Sequence, residues 1–492
     1  MALREEPKVI RPMSNFCGTA VVCRYGLPSH LVGGSLESIR NAFHWAMALT
    51  VGEHPMLQVG ILNENSAVPS WIELETVDLG LHISWQEIKA SDAYEGSLKH
   101  EIRNQLDTWF TDVGTKPGWR ASVLWPEGSI QSLDVIFCWN HTNFDGVGGK
   151  ILHQTLLRNL NDPKTDHELN LDGSVLHLSS AADRFPPPPE ELIKIPVSWG
   201  FALATIWKEL RPPFLVVSND PTQANWAPIH QEPYQTEFRT FSIEDATLKK
   251  VLSKCRAHRT TITGLLHALP LVSLALQLDE GKKHHKQEAK SMFAISALDT
   301  RRFIPANSEA YPWHVPSTTM DNQMTLVNHL FGEDLVTEIR SKAKGIPSQS
   351  HAMTQLENFV WVAAVQARED IQSKLDKGME NDPSGLMNFV KDWRVQKKQQ
   401  LKKPRVGAWG VSNLGILDGA VEGSGWKIER AVFQLSCELT SPVFHISSIS
   451  VKGKEMCVDV SWQQGIIDAE IGDTLASDME AWIRFLGAGG EE

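Results

Sequence analysis

The chain has 492 residues, of which 42% are hydrophobic and 22% charged, with a formal net charge of −12, a pI of about 5.9 and a mean hydropathy of −0.22. This is globular composition, and a length well beyond ~250–300 residues predicts two cores rather than one. The negative balance repels a phosphate backbone and argues against a nucleic-acid partner, although it is compatible with a local basic pocket for a small anion.

In chain order, Leu36, Ile39, Phe43, Ala46 and Met47 recur at helical spacing and predict an amphipathic helix. Residues 54–62 read as a turn into a strand, 71–74 and 81–88 as short strands, and 93–107 as a helix. Residues 129–140 end in an apolar run that predicts a strand buried on both faces. That strand runs straight into His141-Thr142-Asn143-Phe144-Asp145-Gly146-Val147-Gly148-Gly149, after which Ile151, Leu152, Leu156, Leu157 and Leu160 restore helical spacing. Four prolines at 186–189 stiffen a connection, and the proline-rich stretch 211–233 is expected to link two domains, residues 1–215 and 216–492. Beyond it come a strand (237–243) and helices at 245–258 and from 260 onward. A charged loop (280–290) and a buried strand (292–298) follow, the strand leading into Asp299-Thr300-Arg301-Arg302. Helices are expected at 335–344, 350–375 and 473–486, and strands at 407–413, 444–451 and 456–463. Strands and helices alternate in both halves, which is an α/β pattern.

Cysteines stand at 17, 23, 138, 255, 437 and 457, with no CxxC and no Cys/His cluster at metal-ligand spacing. Reduced core thiols in a cytoplasmic protein without a bound metal are expected. The first twelve residues carry acids and a proline where a signal peptide needs an apolar core. The most apolar window, 264–278, is too short for a bilayer. No membrane span is expected. Seventeen tryptophans against four tyrosines predict aromatic-packed cores.

The chemistry concentrates at His141 and Asp145. Imidazole is the side chain that removes a proton from a hydroxyl near neutral pH. A thioester is already reactive, so an activated hydroxyl attacks it without a serine or cysteine intermediate, and the chain has no GxSxG elbow. A bare HxxxD arises about once by chance in such a chain. What makes this one specific is its context of buried strand before, glycine-rich turn, and amphipathic helix after. Gly146, Gly148 and Gly149 are expected to allow positive φ and close backbone approach.

Residues 141–149 resemble the HxxxDG motif of the condensation-domain superfamily, which includes chloramphenicol acetyltransferase-like enzymes, plant BAHD acyltransferases and peptide-synthetase condensation domains. The chain is most similar to the alcohol O-acetyltransferase-like branch of fungi and bacteria. Arg11-Pro12-Met13, His54-Pro55-Met56-Leu57, Thr263-Gly264-Leu265-Leu266-His267-Ala268, Val411-Ser412-Asn413-Leu414-Gly415 and Val460-Ser461-Trp462 follow in that branch's order. The resemblance implies two chloramphenicol acetyltransferase-like α/β lobes with a central tunnel between them. It makes His141 the general base and Asp145 a turn-holding residue paired with Arg301. It also implies acyl-CoA, acetyl-CoA foremost, as co-substrate with no permanently bound cofactor. The acceptor would be a small, secondary-metabolite hydroxyl compound.

Ser412 and Asn413 are candidate oxyanion donors. Trp409 is a candidate tunnel residue within Gly407-Ala408-Trp409-Gly410, where the plant branch carries Asp-Phe-Gly-Trp-Gly. Lys397, Lys398, Lys402, Lys403 and Arg405 form a basic run that either solvates a helix face or meets coenzyme A phosphates or an acyl carrier protein. His284-His285 reads as loop and His153 as packing. The expected function is O-acyl transfer by a monomer, since two lobes in one chain can form the site alone. Two alternatives stay open: a free-standing condensation enzyme that joins a carrier-bound thioester to an amine or alcohol, and a non-transferring binding or rearrangement protein on the same fold.

Overall fold

The computed structural model describes residues 17–89, 92–128, 130–162, 170–210, 220–279, 289–305, 308–344, 349–420 and 425–488. Arg11-Pro12-Met13, His284-His285 and the division at 215/216 lie outside the described residues. The principal strands are β1 (Thr19–Gly26), β2 (Ile83–Ile88), β3 (Trp119–Pro126), β4 (Ser132–Trp139), β5 (Thr236–Ile243), β6 (Met292–Asp299), β7 (Met324–Phe331), β8 (Trp409–Leu417), β9 (Lys427–Leu435), β10 (Phe444–Val451) and β11 (Met456–Gln463). The principal helices are α1 (Leu36–Glu53), α2 (Tyr94–Asp107), α3 (Gly146–Asn161), α4 (Trp199–Leu210), α5 (Asp245–Ala257), α6 (Ile262–Gln277), α7 (Glu333–Ala343), α8 (Gln349–Lys377), α9 (Trp393–Gln400) and α10 (Ala469–Ala488).

A five-stranded sheet runs β9-β1-β4-β3-β2 and a six-stranded sheet β5-β11-β10-β8-β6-β7. β1 lies antiparallel between β4 and β9, with Thr19 opposite both Trp139 and Leu435. β9 therefore carries the far end of the chain into the first sheet. In the second sheet β8 is parallel to both β6 and β10. The sheets are joined near β9, where Gln434 Nε2 donates to Asp459 Oδ1 at 3.1 Å and Ser461 Oγ to the Leu435 carbonyl at 3.0 Å.

Local chemistry explains the helices that frame the site. Ser35 caps α1 by accepting from the Ser38 amide at 3.1 Å, and Ile39, Phe43, Ala46 and Met47 turn into the core around the first sheet. Thr261 caps α6, which is buried against α8 and the second sheet. All six cysteines are free and buried, as apolar surroundings favour for inert thiols. Trp119, Trp139, Trp409 and Trp462 are fully buried.

β6 departs from the fully buried strand expected of it, because its burial alternates. Met292 and Ala294 belong to the core, whereas Ile295, Ala297, Leu298 and Asp299 line a cavity. Among the described residues no single helix is long and apolar enough to cross a membrane. The bent pair α5 and α6 has the composition, but α6 lies in the core.

Candidate active site

β4 is buried along its length and delivers His141 to a turn that is bonded on every side. The Thr142 amide donates to Asn140 Oδ1 (3.0 Å), the Trp139 indole to the Phe144 carbonyl (2.8 Å) and Asn143 Nδ2 to the Met56 carbonyl (3.2 Å). Asn322, just before β7, donates Nδ2 to the carbonyls of both His141 (2.8 Å) and Thr142 (2.9 Å). Asp145 caps α3 and accepts from the Gly148 amide at 3.0 Å.

The three glycines serve space rather than handedness. None of them has the positive φ expected of the turn, because all three are already helical. A Cβ on Gly149 would lie 2.3 Å from the Trp139 ring, one on Gly148 2.7 Å from the Phe144 ring and one on Gly146 2.8 Å from Leu414. Since Trp139 is fully buried and cannot swing away, Gly149→Ala is expected to destabilise by about 1–3 kcal/mol, as overpacking does. Thermal or denaturant unfolding checks this, and an unchanged midpoint would contradict it.

Asp145 has both carboxylate oxygens occupied. Arg301 Nη1 donates to Oδ2 at 2.7 Å and Nη2 to Oδ1 at 3.2 Å, while the Gln323 amide donates to Oδ2 at 2.9 Å. Arg301 Nη2 also reaches Asp321 Oδ1 at 2.7 Å, and His314 Nε2 pairs with Asp321 Oδ2 at 3.0 Å. Asp145, Arg301 and Asp321 are all buried. Burial opposes the Asp145 charge, but the Arg301 guanidinium and the two backbone amides outweigh it and hold its pKa below the ordinary value. Burial opposes the Arg301 charge as well, and the Asp145 and Asp321 carboxylates outweigh it. A carboxylate whose two oxygens already accept from Arg301, Gln323 and Gly148 has no role as a proton acceptor, and its work is to fix the turn.

His141 opens onto a cavity of about 470 Å³ where the two sheets meet, walled by β6, β8, β9 and α9. Burial lowers its pKa, partly offset by a backbone hydrogen bond, by Asp145 and by Asn322. A second cavity of about 120 Å³ lies against Thr142, Asn143 and Asn322, and both cavities touch Gln323 and Met324. Ser412 and Asn413 line the larger one. Asn413 is already bonded at both ends, donating to Thr263 Oγ1 (3.1 Å) and accepting from the Gly415 amide (2.9 Å).

Trp409 does not line either cavity, contrary to its expected place in a tunnel wall. Its indole donates to His267 Nδ1 at 3.0 Å and its ring stacks on Phe331. Behind it, His267 meets Ser296 (2.7 Å), Ser296 meets His329 (2.9 Å) and His329 meets Asp370 (3.0 Å). This has the spacing of a serine-histidine-aspartate triad, but Ser296 is buried and lines neither cavity. The relay is a structural one.

The basic run divides. Lys397 and Lys403 line the larger cavity, Lys398 and Lys402 are exposed, and Arg405 is fully buried, donating to the carbonyls of Ala227 (3.2 Å) and Glu438 (2.9 Å). Glu438 and His445, not anticipated from the sequence, stand on the same wall with Nε2 and Oε2 3.7 Å apart. Burial pushes Glu438 up to about 8, while burial together with Arg405 and His141 pulls His445 down to about 3. His153 is fully buried, bonded to Tyr25 and the Val21 carbonyl. Among the described residues no cluster of His, Cys, Asp and Glu is arranged to hold a metal ion.

A sequence model of the alcohol acetyltransferase family matches residues 89–472. The chain belongs to this family. A probable alcohol acetyltransferase of Fusarium pseudograminearum, FCK4, is 27% identical over 445 residues, covering 88% of this chain and 84% of that protein. An uncharacterized protein of Schizosaccharomyces pombe is 23% identical, covering 81% and 78%. The fold is shared with solved structures of low sequence identity. The trichothecene 15-O-acetyltransferase TRI3 from Fusarium sporotrichioides superposes with a TM-score of 0.67 at 14% identity, over 96% of this chain and 91% of that one. The first condensation domain of the calcium-dependent antibiotic synthetase gives 0.55 at 12% identity, over 96% and 90%.

Proposed function

We propose that the protein transfers an acetyl or other short acyl group from acyl-CoA to the hydroxyl of a small alcohol, with His141 as general base. The observation that carries this reading is the division of labour at the turn. Asp145 is fully engaged by Arg301, Gln323 and Gly148, whereas His141 opens onto the larger cavity. In the proposed reaction His141 takes the hydroxyl proton as the oxygen attacks the thioester carbonyl. The C–S bond then breaks, and His141 returns the proton to the departing thiolate. Ser412, which lines the larger cavity, is the proposed side-chain donor to the developing oxyanion. The two cavities that meet at Gln323 and Met324 would take the two substrates from opposite sides, between lobes of residues 1–215 and 216–492. Lys397 and Lys403 at the wall suit the phosphates of coenzyme A. A single chain supplies every group named.

Free acetyl-CoA and a carrier-loaded acetyl thioester, each offered with a panel of alcohols, test the donor. Ester formation with free acetyl-CoA is expected, and turnover with the carrier alone would contradict it. The pH profile tests the base. Because burial lowers the His141 pKa, the neutral imidazole persists below its ordinary value of about 6.5. Asp145 and His445 are the titratable groups acting on it. The acid limb of kcat/KM is therefore expected below pH ~6.5, and a limb above it would contradict the assignment.

A further inference from the structure

The His141 turn is held from outside by a strap of irregular chain. Between β6 and β7 the described residues 308–323 contain turns but no helix or strand. Met320 belongs to the core around the first sheet, and Met324 opens β7 of the second. The three residues between them all bond the turn. The Asp321 carbonyl accepts from the Asp145 amide at 3.2 Å, Asn322 donates to the His141 and Thr142 carbonyls, and the Gln323 amide donates to Asp145.

Asp321 is the node of the strap. Its Oδ1 accepts from Arg301 Nη2 at 2.7 Å, and its backbone carbonyl accepts from the same nitrogen at 2.9 Å. Its Oδ2 faces His314 Nε2 at 3.0 Å and Gln323 Nε2 at 3.1 Å. Gln323 lies in the strap itself, so His314 is the donor that ties Oδ2 to chain further back. Without it the carboxylate is gripped by Arg301 on one side only.

The chemistry of His314 points the same way. A carboxylate only accepts, so Nε2 carries the hydrogen of this bond whether the ring is neutral or charged. The ring is buried, and among the described residues its Nδ1 has no hydrogen-bond partner. An unbonded buried nitrogen is a cost that a leucine of similar volume would not carry. Packing alone therefore does not select histidine here, and what the ring adds is its bond to Asp321. His314 lines neither cavity, so any part it has in the reaction is exerted through other residues.

We propose that His314 is a positioning residue: by holding Asp321 it locks the strap that sets both the His141 backbone and the Arg301 guanidinium. The proposal rests on His141 being the base of the reaction proposed above.

Kinetics of three variants of the full-length protein, with rates expressed per native molecule recovered from a sizing column, test it. His314→Leu keeps the volume but loses the donor, and is expected to lower kcat about tenfold with the KM for acetyl-CoA within about twofold of wild type. His314→Gln carries an amide nitrogen where Nε2 stood, and is expected to stay within about threefold of wild type. His314→Asn carries its nitrogen where Nδ1 stood, out of reach of Asp321, and is expected to behave like the leucine variant. Should the leucine protein fail to fold, the contrast between glutamine and asparagine still decides. In a His141→Ala background, His314→Leu is expected to lower the residual rate no further, because no imidazole is left to position. A His314→Leu enzyme at the wild-type rate, equal rates for the glutamine and asparagine variants, or a further full loss in the His141→Ala background would overturn the proposal. A His141→Ala enzyme as fast as wild type would overturn the catalytic reading as well, whereas the other contrary results would leave that reading standing.

Discussion

Replacing His141 by alanine is expected to lower acyl transfer by about 10²–10⁴-fold, the usual contribution of a positioned general base. The fold should survive. The side chain forms part of a cavity wall rather than a packed core, and Asn322 also holds the position through the His141 backbone carbonyl. The loss should fall on kcat, with little change in KM for the thioester, because the imidazole acts when the proton moves. Initial rates of thiol release with saturating acceptor measure it. A His141→Ala enzyme within a few-fold of wild type would remove histidine from the chemistry.

The largest structural effect is expected at Arg301. Its guanidinium neutralises Asp145 and Asp321, both buried. Arg301→Ala would leave two carboxylates in the interior without their cation, and breaking a buried pair by removing one partner costs about 3–5 kcal/mol. Asp145→Asn should be milder, because asparagine still caps α3 and leaves Arg301 paired with Asp321. The pH dependence has a definite sign. The folded pKa of Asp145 lies below its ordinary value, so its stabilisation is present above the unfolded value of about 3.9 and is lost as pH falls through the lower folded value. Urea unfolding of the wild type and both variants, stepped from neutral pH to well below pH ~3.9, checks magnitude and sign together. An Arg301→Ala protein as stable as wild type would show that the ion cluster does not hold the turn.

Much of the architecture was legible where the signal is local. The apolar run of β4, the turn and the helix after it lie within one short segment, and β10 and β11 follow from their own composition. What escaped depends on distant partners. What makes β1 and β9 strands is pairing across most of the chain, Thr19 with Leu435, which no local pattern encodes. Asn322 reaches back 181 residues to His141, and only its place beside two other polar residues before a strand hints at a special role.

Trp409 was misplaced for the same reason. Its indole bonds to His267 and its ring stacks on Phe331, partners far away in sequence that no local pattern reveals. The basic run misleads in a related way, since proximity in sequence conceals that Arg405 is fully buried while Lys398 is exposed. Glu438 and His445 carry no periodic signal at all. They matter because β9 and β10 bring them to the same wall as His141.

The central claim is direct transfer from thioester to hydroxyl, assisted by His141 and without an acylated protein. Intact-protein mass spectrometry after mixing with acetyl-CoA alone, followed by addition of an alcohol that the enzyme esterifies, tests it most directly. Unmodified protein in the first step, and one ester formed per thiol released only after the second, is the predicted result. A stable acetyl adduct on the protein before the alcohol is added, chased into ester afterwards, would contradict it.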